Sequence, residues 1–91
     1  MKLVYAAKAL EDMGWFRRYY STVFPEGKGN ARDSLLRTEA LLAESPFIGH
    51  PTTEGSEARE FPVLRTPFVL LYRLKADRIE ILRVLDLRAE R

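Results

Sequence analysis

The chain has 91 residues, 46 % hydrophobic and 31 % charged, with 15 Lys and Arg against 13 Asp and Glu for a net charge of +2. That length leaves room for one core, so residues 1–91 read as a single domain; the balance excludes charge-driven disorder, and the small net charge is no bulk signature of nucleic-acid binding. With no cysteine and one histidine, His50, the sequence holds no disulfide, no thiolate or histidine-rich metal site and no cysteine nucleophile.

Met1 to Ala6 reads as a first strand, carrying Val4 and Tyr5. The run Leu3–Ala7 is too short, and too soon followed by Lys8, Glu11 and Asp12, for a signal peptide. No apolar run approaches the roughly 20 residues of a membrane span. The expectation is a soluble, cytoplasmic protein that needs no cofactor, no metal and no membrane.

From Ala7 to Phe24 the pattern is helical: Ala6, Ala9 or Leu10, Met13, Phe16, Tyr20 and Val23 recur at spacings of three and four. Glu11 and Asp12 early and Arg17 and Arg18 late suit the helix dipole. Trp15 and Tyr19 lie four apart on another side and form a second, aromatic edge. Pro25 to Asn30 reads as a loop, with Asn30 as N-cap of a second helix over Ala31 to Glu44. Leu35, Thr38 or Glu39, and Leu42 make its stripe, widened by Leu36 and Leu41. Ser45-Pro46 stops it. Residues 46–58 read as a long loop, and His50 as a solvated loop histidine.

Three strands follow: Phe61, Val63 and Leu64 in one, Phe68 to Leu74 in the next, Ile79 to Leu85 in the last, with turns at Thr66-Pro67 and Ala76-Asp77. The order β-α-α-β-β-β predicts an α+β fold with two helices packed on one face of a four-stranded antiparallel sheet. A two-residue turn at Ala76-Asp77 pairs Leu74 with Ile79, Arg73 with Glu80 and Leu71 with Leu82. Strict alternation then puts Phe68, Leu70, Tyr72, Leu74, Ile79, Ile81, Arg83 and Leu85 on the face under the helices. The other face carries Val69, Leu71, Leu82 and Val84, with Arg73, Lys75 and Glu80 at the turn end. An apolar patch there, where a solvated face would alternate to polar, implies a covered surface. The cover is either a partner or the chain itself, through loop 46–58 or the C-terminal end.

Phosphate loops and metal clusters are missing, so the remaining chemistry belongs to arginine: Arg59, Arg65, Arg73, Arg83 and Arg88 lie in or beside the last strands. Guanidinium groups bind phosphate and carboxylate bidentately. Cleaving RNA would further need a group to move the 2′-hydroxyl proton, and Tyr72, the one tyrosine of these strands, falls in the core. Most of these arginines therefore read as partners of Glu57, Glu60, Glu80 and Asp86. Arg83 packs its stem among apolar neighbours, and its head needs an acceptor. The end, Asp86 to Arg91, carries little core and should be mobile when the chain is alone.

The stretches ALEDMGWFRRYY at 9–20, PFIGHP at 46–51, REFPVLRTPFVLLYR at 59–73 and RIEILRVLDLR at 78–88 give the chain a resemblance to the RelE/ParE superfamily of type II toxin–antitoxin toxins, and most of all to its ParE-like branch of plasmid-stabilisation proteins. The pairing of a TPF-x-L-x-YR strand with an EILRVL strand is the strongest part of it. The resemblance implies a bacterial growth-arresting toxin, held by a cognate antitoxin in a hetero-oligomer, with DNA gyrase the target expected in that branch. RelE-like relatives instead cut messenger RNA on the ribosome, using basic residues on the second and third strands and a late tyrosine. Here Phe61 and Val63 stand where basic residues are expected, the third strand opens Phe68-Val69, and no tyrosine or histidine follows Tyr72. Enzymatic activity is therefore not the first expectation. Arg83 and Arg88 are the remaining candidates for it, and a ribosome-dependent endoribonuclease is one alternative. A non-toxic fold that represses transcription together with its antitoxin is the other. Trp15, Tyr19, Val69, Leu71, Leu82, Val84 and Arg88 are the expected contact residues for antitoxin or target. By the resemblance, Arg88 also stands near the family's C-terminal basic position, at the end of the last strand.

Overall fold

A computed structural model describes residues 1–52 and 57–88. Strand β1 spans Lys2–Tyr5, helix α1 Ala7–Arg18 and helix α2 Lys28–Glu44. Strands β2 (His50–Pro51), β3 (Ala58–Pro62), β4 (Phe68–Leu74) and β5 (Arg78–Asp86) follow. The fold is α+β, with two helices packed against one sheet of order β1-β5-β4-β3-β2.

The sheet corrects the expectation of four antiparallel strands in two ways. It has five strands, because His50–Pro51 pairs with Arg59 and Glu60 rather than lying free in a loop. It is also mixed, because β1 runs parallel to β5, with Leu3 opposite Ile79 and Tyr5 opposite Ile81. Alternation along β1 turns Leu3 and Tyr5 toward the core and leaves Lys2 and Val4 exposed.

Helix α1 follows its stripe: Ala9, Met13, Phe16 and Tyr20 are buried, whereas Leu10 and Val23 are exposed. The helix does not end at Arg18. It runs on through a π turn, Tyr19–Val23, closed by a 2.8 Å bond from the Phe24 N–H to the Tyr19 carbonyl. The wider turn lets consecutive residues share one target: Tyr19 and Tyr20 lie 4.8 Å apart edge to face, and 6.0 and 6.2 Å from the Phe68 ring.

The expected loop 25–30 is shorter than its composition suggests. Pro25–Gly27 is one 3₁₀ turn leading directly into α2, so Asn30 lies inside the helix and is not its N-cap. The buried stripe of α2 is Ala31, Ser34, Thr38 and Leu42, with Leu35 at its border and Leu36 exposed. Thr38 is fully buried because its hydroxyl donates to the Ser34 carbonyl at 2.7 Å.

Segment 46–52 is fastened from beneath by Tyr72. Its buried hydroxyl donates to the Pro46 carbonyl at 2.8 Å and accepts the Gly49 N–H at 2.9 Å. Arg59 adds a 2.7 Å bond to the Gly49 carbonyl and lies 5.1 Å over the Phe47 ring. Thr53, Gly55 and Ser56 of the expected loop lie outside the described residues.

Between β4 and β5 the expected register holds from the turn through Tyr72 opposite Ile81, and then shifts by one residue. Leu71 faces Arg83, Leu70 faces Val84 and Val69 faces Leu85, leaving Leu82 as the extra residue of a β-bulge.

Candidate functional site

The bulge decides what the two sheet faces carry. Past it the parity of β5 inverts, so Val84 enters the core beside Leu70 and is 4 % exposed. Its expected place on the open face is corrected, and so are those of Arg83 and Leu85 under the helices: past the bulge Leu85 stands opposite Val69 and Arg83 opposite Leu71. The other expected residues of the open face, Val69, Leu71 and Leu82, are respectively buried at 8 % exposure, half-buried and half-buried. Pro62 extends the patch opposite Val69, and Val4 borders it opposite Glu80. At the turn end Arg73 donates to Glu80 across the hairpin at 2.8 Å, and that bond holds the Glu80 carboxyl below its usual range.

A second group forms where β1 ends. From Leu82 onward β5 has no strand neighbour on that side, and α1 lies against it. Asp12 of α1 meets this edge. Its carboxylate accepts two bonds from Arg83, at 2.8 and 3.1 Å, and one from the Val84 N–H at 2.8 Å. A side chain thus takes the place of a ladder partner for a backbone N–H. Partial burial opposes ionisation of Asp12, but the Arg83 and Val84 hydrogen bonds outweigh it, and the carboxyl lies below its ordinary value of 3.8. Arg83 has found the acceptor its setting requires, 71 residues away in sequence.

One turn further along α1, Trp15 donates its indole N–H to Asp86 at 2.9 Å. Asp86 also accepts from the Arg88 backbone N–H at 3.0 Å and from the guanidinium at 3.0 and 2.9 Å. Burial opposes its ionisation, and these four donors reverse the balance and lower its pKa. Arg88 completes the group by donating to the Tyr19 hydroxyl at 2.7 Å, its guanidinium carbon 4.1 Å from that ring's centroid. Arg88 is therefore held, with 43 % of its side chain exposed. Residues 89–91, the remainder of the tail expected to be mobile, lie outside the described residues.

Trp15 and Tyr19 do form an aromatic edge, 5.9 Å apart edge to face, but they are half-buried and packed against the core. The sites converge in space: Trp15, Tyr19, Arg83 and Arg88 surround the end of β5, beside a cleft of about 590 Å³ lined partly by Trp15, Arg83 and Leu87. Val69, Leu71 and Leu82 belong to the open sheet face. Asp86 is expected as an arginine partner and binds Arg88, whereas Asp12, which holds Arg83, is not expected. An acidic residue near a helix start fits the dipole equally well, and nothing local marks its distant partner.

The chemistry available here is recognition of charge and apolar shape. Burial pushes the Tyr72 hydroxyl up from its ordinary 10.0, and its two backbone partners occupy it. Arg73, Arg83 and Arg88 are each bound to a carboxylate. Among the described residues no group of three His, Cys, Asp or Glu side chains could hold a metal ion, and no helix is long and apolar enough to cross a membrane.

No curated protein matches the chain. A solved structure described as the chromosomal ParDE TA system from P. aeruginosa superposes with a TM-score of 0.75 at 26 % identity, covering 96 % of both chains. The family model for the ParE toxin of the type II toxin–antitoxin system parDE matches residues 3–89. With its helices, sheet and nearly all of its length accounted for by that match, the chain belongs to the ParE toxin family.

Proposed function

We propose that this protein is a cytoplasmic, single-domain toxin that arrests bacterial growth by binding DNA gyrase, and that a cognate antitoxin neutralises it in a hetero-oligomer. The antitoxin covers the open sheet face and the aromatic edge of Trp15 and Tyr19. The observation that carries this reading is the apolar face of Val69, Leu71, Leu82 and Leu85, none of which belongs to the core cluster and three of which are half-buried. A surface of this kind at the centre of a small protein is typical of an interface. The P. aeruginosa structure is of a toxin–antitoxin system, which supports an antitoxin as the partner. Arg88 is the residue assigned to the target. It sits at the surface beside Tyr19, and its charge is fixed in direction by Asp86.

The test is expression without antitoxin, read for growth, DNA-damage response and transcript integrity, together with supercoiling by purified gyrase. Growth arrest with a DNA-damage response and inhibited supercoiling is expected, and Arg88→Ala should relieve it; because the change also takes two donors from the nearly buried Asp86 carboxylate, the variant's melting curve is recorded beside its toxicity, and relief must occur with the fold retained. Transcript cleavage on ribosomes would place the protein with the RelE-like nucleases. Normal growth, with operator binding by the toxin–antitoxin pair, would leave the repressor role.

A further inference from the structure

Asp86 holds more than one ion pair. Its side chain is only 6 % exposed, and each of its carboxylate oxygens accepts twice. Oδ1 takes the backbone N–H and the Nε–H of Arg88, both at 3.0 Å. Oδ2 takes an Nη2–H of Arg88 and the indole N–H of Trp15, both at 2.9 Å. A carboxylate offers about four acceptor positions, so this one is saturated. Trp15 belongs to α1 and is packed against the core, 5.9 Å from the Tyr19 ring. The helix therefore fixes Oδ2 through Trp15, and the carboxylate fixes which edge of the guanidinium turns inward.

Arg88 itself is only partly satisfied. A guanidinium carries five N–H donors. Nε and Nη2 each give one to Asp86, and Nη1 gives one to the Tyr19 hydroxyl. One N–H remains on each terminal nitrogen. The Tyr19 ring, 4.1 Å from the guanidinium carbon, supports the group from one side. Leu87 next to it is exposed, and so is Phe24, whose ring lies 6.5 Å from that of Tyr19.

We propose that Trp15 and Asp86 are positioning residues for Arg88, and that the two remaining N–H groups grip the carboxylate of an acidic side chain on the target protein. This role rests on the assignment of Arg88 to the target made above. Two N–H groups on neighbouring nitrogens match the two oxygens of one carboxylate. Exposed Leu87 and Phe24 favour a protein surface, with its acidic residue set among apolar ones, over a nucleic-acid backbone, where contacts go mostly to phosphate and sugar. Holding the guanidinium in place before contact removes the ordering cost that a long, free side chain brings to binding.

The test measures binding of the full chain to purified gyrase without DNA, beside growth arrest and the melting curve. Asp86→Asn keeps the shape and turns an amide N–H toward a donor of Arg88 or Trp15. Trp15→Phe keeps a ring and removes the indole N–H. Each should weaken gyrase binding about tenfold or more while the chain stays folded. Arg88→Lys keeps the charge without the fork and should lose as much as Arg88→Ala. The lock is read without any target by ¹⁵N NMR. Trp15 is the only tryptophan, so its indole N–H gives one signal. The Arg88 Nε–H should exchange slowly with water in the parent chain and fast in Trp15→Phe and Asp86→Asn, a change that loss of a merely supporting side chain would not produce. If Asp86→Asn does not fold, Trp15→Phe and the exchange rate of the parent chain carry the test. A parent chain that neither binds gyrase nor arrests growth would overturn the proposed function, and the Arg88 Nε–H would still decide whether Trp15 and Asp86 hold Arg88. Fast exchange in the parent chain would overturn the positioning role. So would parental gyrase binding by folded Asp86→Asn and Trp15→Phe. Rescue by Arg88→Lys, or binding that appears only with DNA, would overturn the carboxylate grip.

Discussion

The Asp12 carboxylate shows how much of this structure rests on single pairings between α1 and β5. It satisfies a guanidinium and a strand-edge N–H at once. Asp12→Ala leaves the Val84 N–H without its partner, a loss of about 1–3 kcal/mol for a donor that water does not readily reach. Arg83→Ala should cost less, because the Arg83 head is 38 % exposed and Asp12 keeps its bond from Val84. Urea unfolding of both variants ranks them, and equal losses would contradict this account. The pH dependence follows from the direction of the shift. The folded-state pKa of Asp12 lies below its ordinary 3.8, so on acidification the unfolded chain takes up the proton first. The stability contributed is complete above that ordinary value and is lost as pH falls through the lower, folded one. In Asp12→Ala the drop in stability over this acid range should therefore be shallower, and Asp86 and Glu80, whose carboxyls are also lowered, still contribute to it. Strict alternation assigns Arg83 an acceptor for the wrong setting, among Leu70 and Ile81, whereas the bulge sets it opposite Leu71. That Asp12 is the acceptor was not legible, because the pair is joined by packing of α1 on the sheet and by nothing local in the sequence.

Elements were legible where one periodicity governs them and illegible where geometry intervenes. The stripe Ala9, Met13, Phe16, Tyr20 and the hairpin pairs Leu74–Ile79 and Arg73–Glu80 follow from spacing alone. The parallel placement of β1 does not, since alternation tells which face a side chain occupies and not which way a neighbouring strand runs. The bulge at Leu82 is equally silent: no glycine marks it, and it exchanges Val84 for Leu85 between core and surface. Glycines make the same contrast testable. Gly14 lies within α1 with open space where a Cβ would be, so Gly14→Ala should raise stability by roughly 0.5–1 kcal/mol. At Gly49 a Cβ would sit 2.6 Å from the Tyr72 hydroxyl oxygen and 2.8 Å from the Glu60 carbonyl oxygen. Neither atom has room to move, and Gly49→Ala should lower stability by about 1–3 kcal/mol through overpacking. Thermal melts of the two variants should shift in opposite directions.

At the scale of the whole molecule, a chain of 91 residues spends one sheet face on its core and leaves the other apolar. A domain of this size buries a comparatively small share of its unfolded surface, so a partner on the open face adds stability the chain cannot supply alone. An antitoxin present at about 100 times its dissociation constant adds roughly 2.7 kcal/mol. For a domain of this length that corresponds to a rise in melting temperature of roughly 10–20 °C. Leu71→Glu/Leu85→Glu places two carboxylates in the middle of that face. In the free protein both side chains border solvent and each follows a core residue, Leu70 or Val84, whose packing is untouched. The free variant should therefore melt near the parent protein, yet gain little or nothing from antitoxin, because binding would bury two unpaired charges. Scanning calorimetry of each protein with and without antitoxin separates the two effects. A variant that is still stabilised to the parental extent would show that the antitoxin grips another surface of the toxin.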